Sequence, residues 1–250
     1  MESPENYRRF LKAYWWDERD KLEPDQKRRI PPPAAQKPHP KNAMLVELVA
    51  PEKLGVGDMS LRQVIRRRKS HRKFNVESLS LEELSFLLWA TQGVREVTGE
   101  GTVVKRTVPS AGGRHPFETY LLVNRVGGIE PGLYRYLPLE HKMYLVRADA
   151  GLVEQVSRGC REQFFIGQGA VVFLWTVIPY RSEWRYLVVA PKMIALDAGH
   201  LCQNLYLASE AVGAGTCAIG AYHQDQLDAL LGVDGKEEFV VYAAVVGKVD

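Results

Sequence analysis

The segment PKMIALDAGHLCQNLYLASEAVG, residues 191–213, constrains this chain more than any other. Pro191 opens it and Gly213 closes it, the asymmetry that helix termini prefer. Ile194, Ala198, Leu201, Leu205, Ala208 and Val212 recur at spacings of three or four, and Leu196 and Leu207 widen the apolar surface. A helix so broadly apolar must be covered on more than one side, so it belongs at the centre of the fold. On either side of it in sequence lie AVVFLWTVI (170–178) and EFVVYAAVVG (238–247), apolar at nearly every position, as strands buried on both faces are. FETYLLVN (117–124) alternates with β-branched and aromatic residues, and GLYRYL and KMYLVR around PLEH resemble a hairpin. Helices and strands do not alternate in regular βαβ units. The expected fold class is therefore α+β, a mainly antiparallel central sheet covered by helices.

Shorter elements complete this reading. SLRQVIRRR predicts a helix capped by Ser60, with Leu61, Val64 and Ile65 on one face. SLSLEELSFLLWATQG predicts another, with Ser80 and Glu83 as a capping box and Gly93 as its stop. QDQLDALLG reads as a small helix after His223, and GVREVTGEGTVVKRTVPSAGGRHP (93–116) as a glycine-rich, charged loop. Residues 1–59 differ in kind: an amphipathic stretch, NYRRFLKAYWWDERD, precedes PPPAAQKPHP, where prolines hold the backbone extended. They are expected to form an arm lying over a domain of residues 60–250, anchored by Trp15 and Trp16.

Composition narrows the function. The 250 residues are 46% hydrophobic and 25% charged, with a formal net charge of +3. Six basic side chains crowd RRRKSHRKF (66–74), and without them the net charge would be −3, so the positive field is local and whole-surface binding of a polyanion is disfavoured. Three scattered cysteines suit a reducing compartment, and the charged opening residues and the lack of a long apolar run point to a cytoplasmic protein. No metal-ligand spacing is present, and no metal is expected.

Three motifs could carry chemistry. Arg66–Phe74 reads as a solvated helix end, a site for one anionic group, or a nucleic-acid patch, and spacing alone leaves all three open. VPSAGGRHPFETYLLV places Pro-Ser-Ala-Gly-Gly before a strand: good turn chemistry, and also bare backbone that a flat ligand can approach. GAGTCAIGAY (213–222) fails the context of a dinucleotide fingerprint because it follows a helix; it reads as a helix end leading into a short strand. Asp197 and His200 read as a satisfied polar pair more readily than as an acid/base couple.

In this order, and together with RFLKAYWW, EPGLYRYLPLEHKMYLV and the terminal VVYAAVVGK, these motifs resemble the nitroreductase superfamily of flavin mononucleotide (FMN) enzymes, and more closely its SagB-type branch, which includes azoline dehydrogenases. The resemblance implies a homodimer with flavin at the interface and the long helix at its centre. It implies that Arg68 and Ser70 bind the FMN phosphate with Lys69 beside them, that Arg72 reaches the ribityl chain and the N1 edge of the ring, and that Lys248 is a second phosphate cation. Ser110, Ala111 and Gly112 would pack on the ring, while Ile219 and Gly220 present N–H groups toward N5 and O4. A cation near N1 suits the charge gained there on reduction.

The implied activity is two-electron or hydride transfer through N5, from NAD(P)H to a small electrophilic acceptor. The branch's azoline dehydrogenases carry a Lys-Tyr pair where this chain has Arg185-Tyr186. Arginine stays protonated and is a poor general base, which disfavours oxidation of a peptide-derived thiazoline or oxazoline to an azole and leaves Tyr186 as candidate proton donor or substrate contact. A different class of function, nucleic-acid binding through RRRKSHRK, predicts a colourless protein whose binding falls steeply with salt.

Overall fold

The computed structural model describes residues 3–98 and 103–250. In chain order the elements are Pro4–Arg8 (α1), Trp15–Arg19 (α2), Leu45–Glu47 (β1), Leu61–Arg67 (α3), Leu81–Gln92 (α4), Val94–Thr98 (β2), Val103–Arg106 (β3), Phe117–Val123 (β4), Gly132–Leu137 (β5), Lys142–Arg147 (β6), Leu152–Gly159 (α5), Val171–Val177 (β7), Tyr180–Tyr186 (α6), Ala190–Ala211 (α7), Ala214–Ile219 (β8), Gln224–Leu231 (α8) and Phe239–Lys248 (β9). Seven strands form one sheet in the order β1-β6-β5-β4-β7-β9-β8, every neighbour antiparallel. The expected α+β class with an antiparallel sheet is what the chain adopts.

The apolar character of β7 follows from its place between β4 and β9. Val171, Phe173, Trp175 and Val177 pack with Leu84 and Leu88 of α4 and Leu201 and Leu205 of α7. Val172 and Leu174 point to the other face and pack with Val156 of α5 and Leu227 and Leu231 of α8. The sheet is thus sandwiched between two helical layers, and α4 and α7 pack against each other in one of them. Ser80 and Glu83 form the expected capping box at α4, exchanging hydrogen bonds of 3.0 and 2.8 Å. Among the described residues no helix is long and apolar enough to cross a membrane.

Four readings change. The loop expected over 93–116 contains an antiparallel ribbon, β2 paired with β3; residues 99–102 lie outside the described residues. Helices α5 and α6 were not expected. Ser60 caps α3 as predicted, but only Val64 is buried; Leu61 and Ile65 are 66% and 59% exposed, so the predicted apolar face finds no full cover among the described residues. Finally, residues 45–47 pair with β6 and so belong to the sheet, inside the segment expected to be an arm.

The proline-rich stretch is seated by three arginines that are themselves almost fully buried: Arg106, Arg135 and Arg181, at 2%, 1% and 2% exposure. Arg181 Nε donates to the Ala34 carbonyl (2.8 Å), Arg106 Nη2 to Ala35 (2.9 Å), and Arg135 Nη2 to Lys37 and Pro38 (2.8 and 2.7 Å). Proline has no N–H, so a proline-rich strand offers mainly acceptors, and guanidinium offers only donors. Glu118 balances the charge: its carboxylate accepts from Arg181 and from the Lys37 backbone N–H.

Candidate functional site

Two clusters hold the residues that the sequence singled out. The first begins where α3 ends. Residues 70–75 run beside β8 and the end of β9: Ser70 bridges Thr216, the His71 N–H donates to the Thr216 carbonyl (2.9 Å), and the Asn75 N–H donates to the Lys248 carbonyl (3.0 Å). The approach is close enough that a Cβ on Gly215 would lie 2.5 Å from the His71 ring, which is why a side chain is excluded there.

Tyr206 of α7 ties this cluster together. Its hydroxyl lies 3.0 Å from Ser70 Oγ and accepts from the Ala218 N–H (2.8 Å), and the Arg68 guanidinium sits 5.4 Å from its ring centroid. Arg72 lies near enough to Cys217 for its charge to oppose the rise that burial imposes on that thiol. Ile219 and Gly220 follow at the open end of β8, and a Cβ on Gly220 would meet nothing within 4 Å.

The charges here have room for an anion. Glu210 is taken by His71 (3.1 Å) and Arg67 (3.9 Å), and among the described residues no carboxylate lies within 4.0 Å of Arg68, Lys69 or Arg72. Ser70, Lys69 and Arg72 are exposed and Arg68 half-buried. Lys248 is placed differently from its expected role: its Nζ pairs with Glu83 and donates to the Val212 carbonyl at the end of α7 (3.1 Å). In this position it caps a helix and joins α7 to α4, while among the described residues Arg68, Ser70 and Arg72 carry no such carboxylate partner.

The second cluster is built on the Pro-Ser-Ala-Gly-Gly loop. Ser110 Oγ donates to Asp197 (2.6 Å), the Ala111 N–H donates to the same carboxylate (3.1 Å), and Ser110 Oγ accepts from the His115 N–H (2.9 Å). Burial raises the Asp197 pKa, and the bonds from Ser110 and Ala111 work against that rise. His200 stands 3.8 Å away and is half exposed, so the partner that matters to Asp197 is the loop. Gly112 has φ 58°, and a Cβ there would lie 2.7 Å from Tyr186 Oη and 3.1 Å from Arg185 Nη1. The loop and the Arg185-Tyr186 pair are therefore in direct contact. Leu187, next in sequence, has φ 49° and ψ −126°, a conformation costing a non-glycine residue about 1–3 kcal/mol.

His115 closes the loop. Burial, then the charges of Arg106 and Arg114, push its imidazole down to about 3, from an ordinary value near 6.5. Between these values the unfolded chain binds a proton that the folded chain refuses. Stability therefore falls as the pH drops through that window, by about 2 kcal/mol from this residue at pH 5. Denaturant titrations at pH 7 and pH 5 should show a loss smaller by that amount in His115→Asn, which tolerates the positive φ. An equal loss in the variant would assign the proton elsewhere.

The two clusters lie on opposite sides of α7. Asp197 and Tyr206 are nine residues apart, which at 1.5 Å and 100° per residue is about 13 Å along the axis and half a turn around it. The sequence pointed to neither residue as part of a site with Ser70 or Ser110. A tyrosine and an aspartate inside a mostly apolar helix were the available signal.

Residues 65–248 match the Nitroreductase family, and the chain belongs to it; it is an oxidoreductase of that family. A protein of Methanocaldococcus jannaschii designated a nitroreductase is 28% identical over 193 residues, covering 77% of this chain and 93% of that one. The trifolitoxin-processing protein TfxB of Rhizobium leguminosarum bv. trifolii is 25% identical over 179 residues, 67% of this chain and 47% of that one. Among solved structures, a protein of Ralstonia eutropha designated a nitroreductase matches with a TM-score of 0.68 at 26% identity, over 88% of this chain and 95% of its own. Another, from Desulfovibrio desulfuricans and solved in complex with FMN, matches with a TM-score of 0.51 at 20% identity, over 76% and 86%.

Proposed function

We propose that this chain works as a homodimer that holds FMN between its two copies and passes two electrons from NAD(P)H to a small electrophilic acceptor. The observation that carries this reading is the pair of clusters on opposite sides of α7. One offers unpaired cations and an exposed hydroxyl, the other a bare glycine loop against a tyrosine, and neither encloses a ligand alone. A two-fold axis near α7 would set the first cluster of one copy against the second cluster of the other. The exposed Leu61, Ile65 and Leu196 supply apolar surface for such contact. Family membership and the FMN-bound relative support the choice of cofactor.

In this reading Arg68 and Ser70 hold the phosphate through charge-assisted bonds, with Lys69 beside them, and Arg72 reaches the ribityl chain and ring edge. The N–H groups of Ile219 and Gly220 face N5 and O4. Ser110, Ala111 and Gly112 give the ring a flat floor that Asp197 keeps in place. FMN, when bound, supplies hydride at N5. The chain orients that atom, and Tyr186 Oη, standing over Gly112, supplies a proton to the acceptor or holds it. The buried, unpaired cysteines suit a cytoplasmic setting.

A second reading, oxidation of a peptide-derived azoline to an azole, draws support from the likeness to the trifolitoxin-processing protein. Against it stands Arg185, a guanidinium and hence a donor only, where a base is required. The nucleic-acid reading of RRRKSHRKF has against it the seating of residues 70–75 on β8 and β9. An absorbance scan of the purified protein decides first: flavin bands, or their appearance on adding FMN, are expected, together with bleaching by NAD(P)H under anaerobic conditions. Protein that is colourless and takes up no FMN would sink the proposal. Azole formation by the unaltered protein would favour the second reading, and its appearance only in Arg185→Lys would favour the first.

A further inference from the structure

Tyr186 stands at the end of α6, and the strained Leu187 directly after it needs something to hold the chain in that shape. The holding groups come from upstream of residue 65, where the match to the family begins. Arg19 of α2 donates from Nη2 to the Arg185 carbonyl (3.3 Å), one of the last carbonyls of α6 and so without a partner inside the helix. The Gln26 N–H donates to the Trp184 carbonyl (3.1 Å), and the Trp184 indole N–H donates to the Ile30 carbonyl (2.9 Å). Lys192, in the first turn of α7, donates to the Leu11 carbonyl (2.6 Å). Residues 11–30 therefore brace the segment from Trp184 to Lys192 at four points.

The fifth contact concerns the reactive side chain itself. Trp16 meets the Tyr186 ring edge to face, with centroids 6.2 Å apart and planes at 89°. On its far side the Tyr186 hydroxyl abuts Gly112. The ring is thus held between a tryptophan of the N-terminal segment and the glycine loop. Trp16 is still 38% exposed, so burial of its own surface is incomplete, and its most specific contact is the one with Tyr186.

We infer that Trp16 and Arg19 are positioning residues for Tyr186: they fix its hydroxyl against the glycine loop and so set how the acceptor is met. This rests on the reading that the loop and Tyr186 face the flavin, but the bracing itself can be measured without flavin. In the FMN-free protein, hydrogen exchange at the amides of 111–113 and 186–189 should quicken in Trp16→Ala and in Arg19→Met, and return to the wild-type rate in Trp16→Phe, which keeps an aromatic edge.

In the FMN-loaded protein, Trp16→Ala should slow reoxidation by the acceptor about two- to tenfold, the scale of one aromatic pair. Reduction by NAD(P)H should keep its rate. Against a Tyr186→Phe background, from which the hydroxyl is already gone, Trp16→Ala should slow reoxidation by less than it does alone. Equal effects in the two backgrounds, or unchanged exchange at 186–189, would overturn the inference and leave Trp16 as an anchor only. Failure of the protein to bind FMN would instead defeat the proposed function while leaving the exchange result to decide the bracing.

Discussion

Arg181→Ala should lower the unfolding free energy by about 3–5 kcal/mol, the scale observed when one partner of a buried ion pair is removed. Arg181 and Glu118 are 2% and 1% exposed at their side chains, so neither charge can turn to water when the other is lost. Without the guanidinium, the Glu118 carboxylate keeps the Lys37 N–H and little else, and the Ala34 carbonyl loses its donor. Denaturant midpoints should fall with an unchanged slope. Replacing both partners, as Arg181→Met with Glu118→Gln, should cost less than the two single changes together, because no charge is then stranded. A loss below 1 kcal/mol in Arg181→Ala would mean that water reaches Glu118. Cleavage within residues 31–38 by a nonspecific protease should also quicken, since the same guanidinium secures that stretch.

The second large effect falls on cofactor retention. Arg68→Ala should weaken FMN binding about ten- to 150-fold, which corresponds to about 1.5–3 kcal/mol for one charge-assisted hydrogen bond. Arg68 is half-buried over the Tyr206 ring and has no carboxylate to satisfy it, so its charge is available to a phosphate. Lys73→Ala, at an exposed position five residues further on, should change affinity far less. Equilibrium titration with FMN, followed by flavin fluorescence, measures both. If Arg68→Ala retains FMN as the unaltered protein does, the phosphate is held elsewhere.

What the sequence revealed depended on how local the cause was. The capping box at Ser80 and Glu83, the proline and glycine bounding α7 and the doubly apolar β7 all express physics within a few residues, and all were legible. The β2–β3 ribbon was hidden because β2 is charged and largely exposed, and in β3 an arginine, Arg106, fills a buried position where alternation leads one to look for an apolar residue. Helix α6, YRSEWRY, shows no apolar stripe: its buried residues include Arg181 and Ser182, and the groups that Arg181 meets are far away in sequence. The exposed Leu61 and Ile65 fail for the opposite reason, since their pattern is right and nothing among the described residues covers them.

The site divides in the same way. Arg68, Ser70, Arg72 and the glycine loop are proposed because the motifs occur in a recognisable order. Tyr206 and Asp197 could not be found in that way, because their roles exist only when α7 brings residues more than eighty positions away against them. Lys248 is expected by analogy near a phosphate, and the pair it makes with Glu83 joins residues 165 positions apart, which no local pattern announces.

The seating of the proline-rich stretch also determines where this protein can be cut. A chain begun at residue 65, where the match to the family starts, would keep Arg106, Arg135 and Arg181 inside the fold and lose every backbone carbonyl of residues 34–38 that receives them. Each guanidinium would then lose its carbonyl acceptors, Arg106 keeping only Gln92 and Arg181 only Glu118, a cost of about 1–3 kcal/mol for each donor left unpaired, against a total stability for a domain of about 5–15 kcal/mol. The unit that inherits, expresses and survives as one piece therefore reaches back past the recognisable family segment, and a fusion or transplant that respects only the segment's borders should yield insoluble protein.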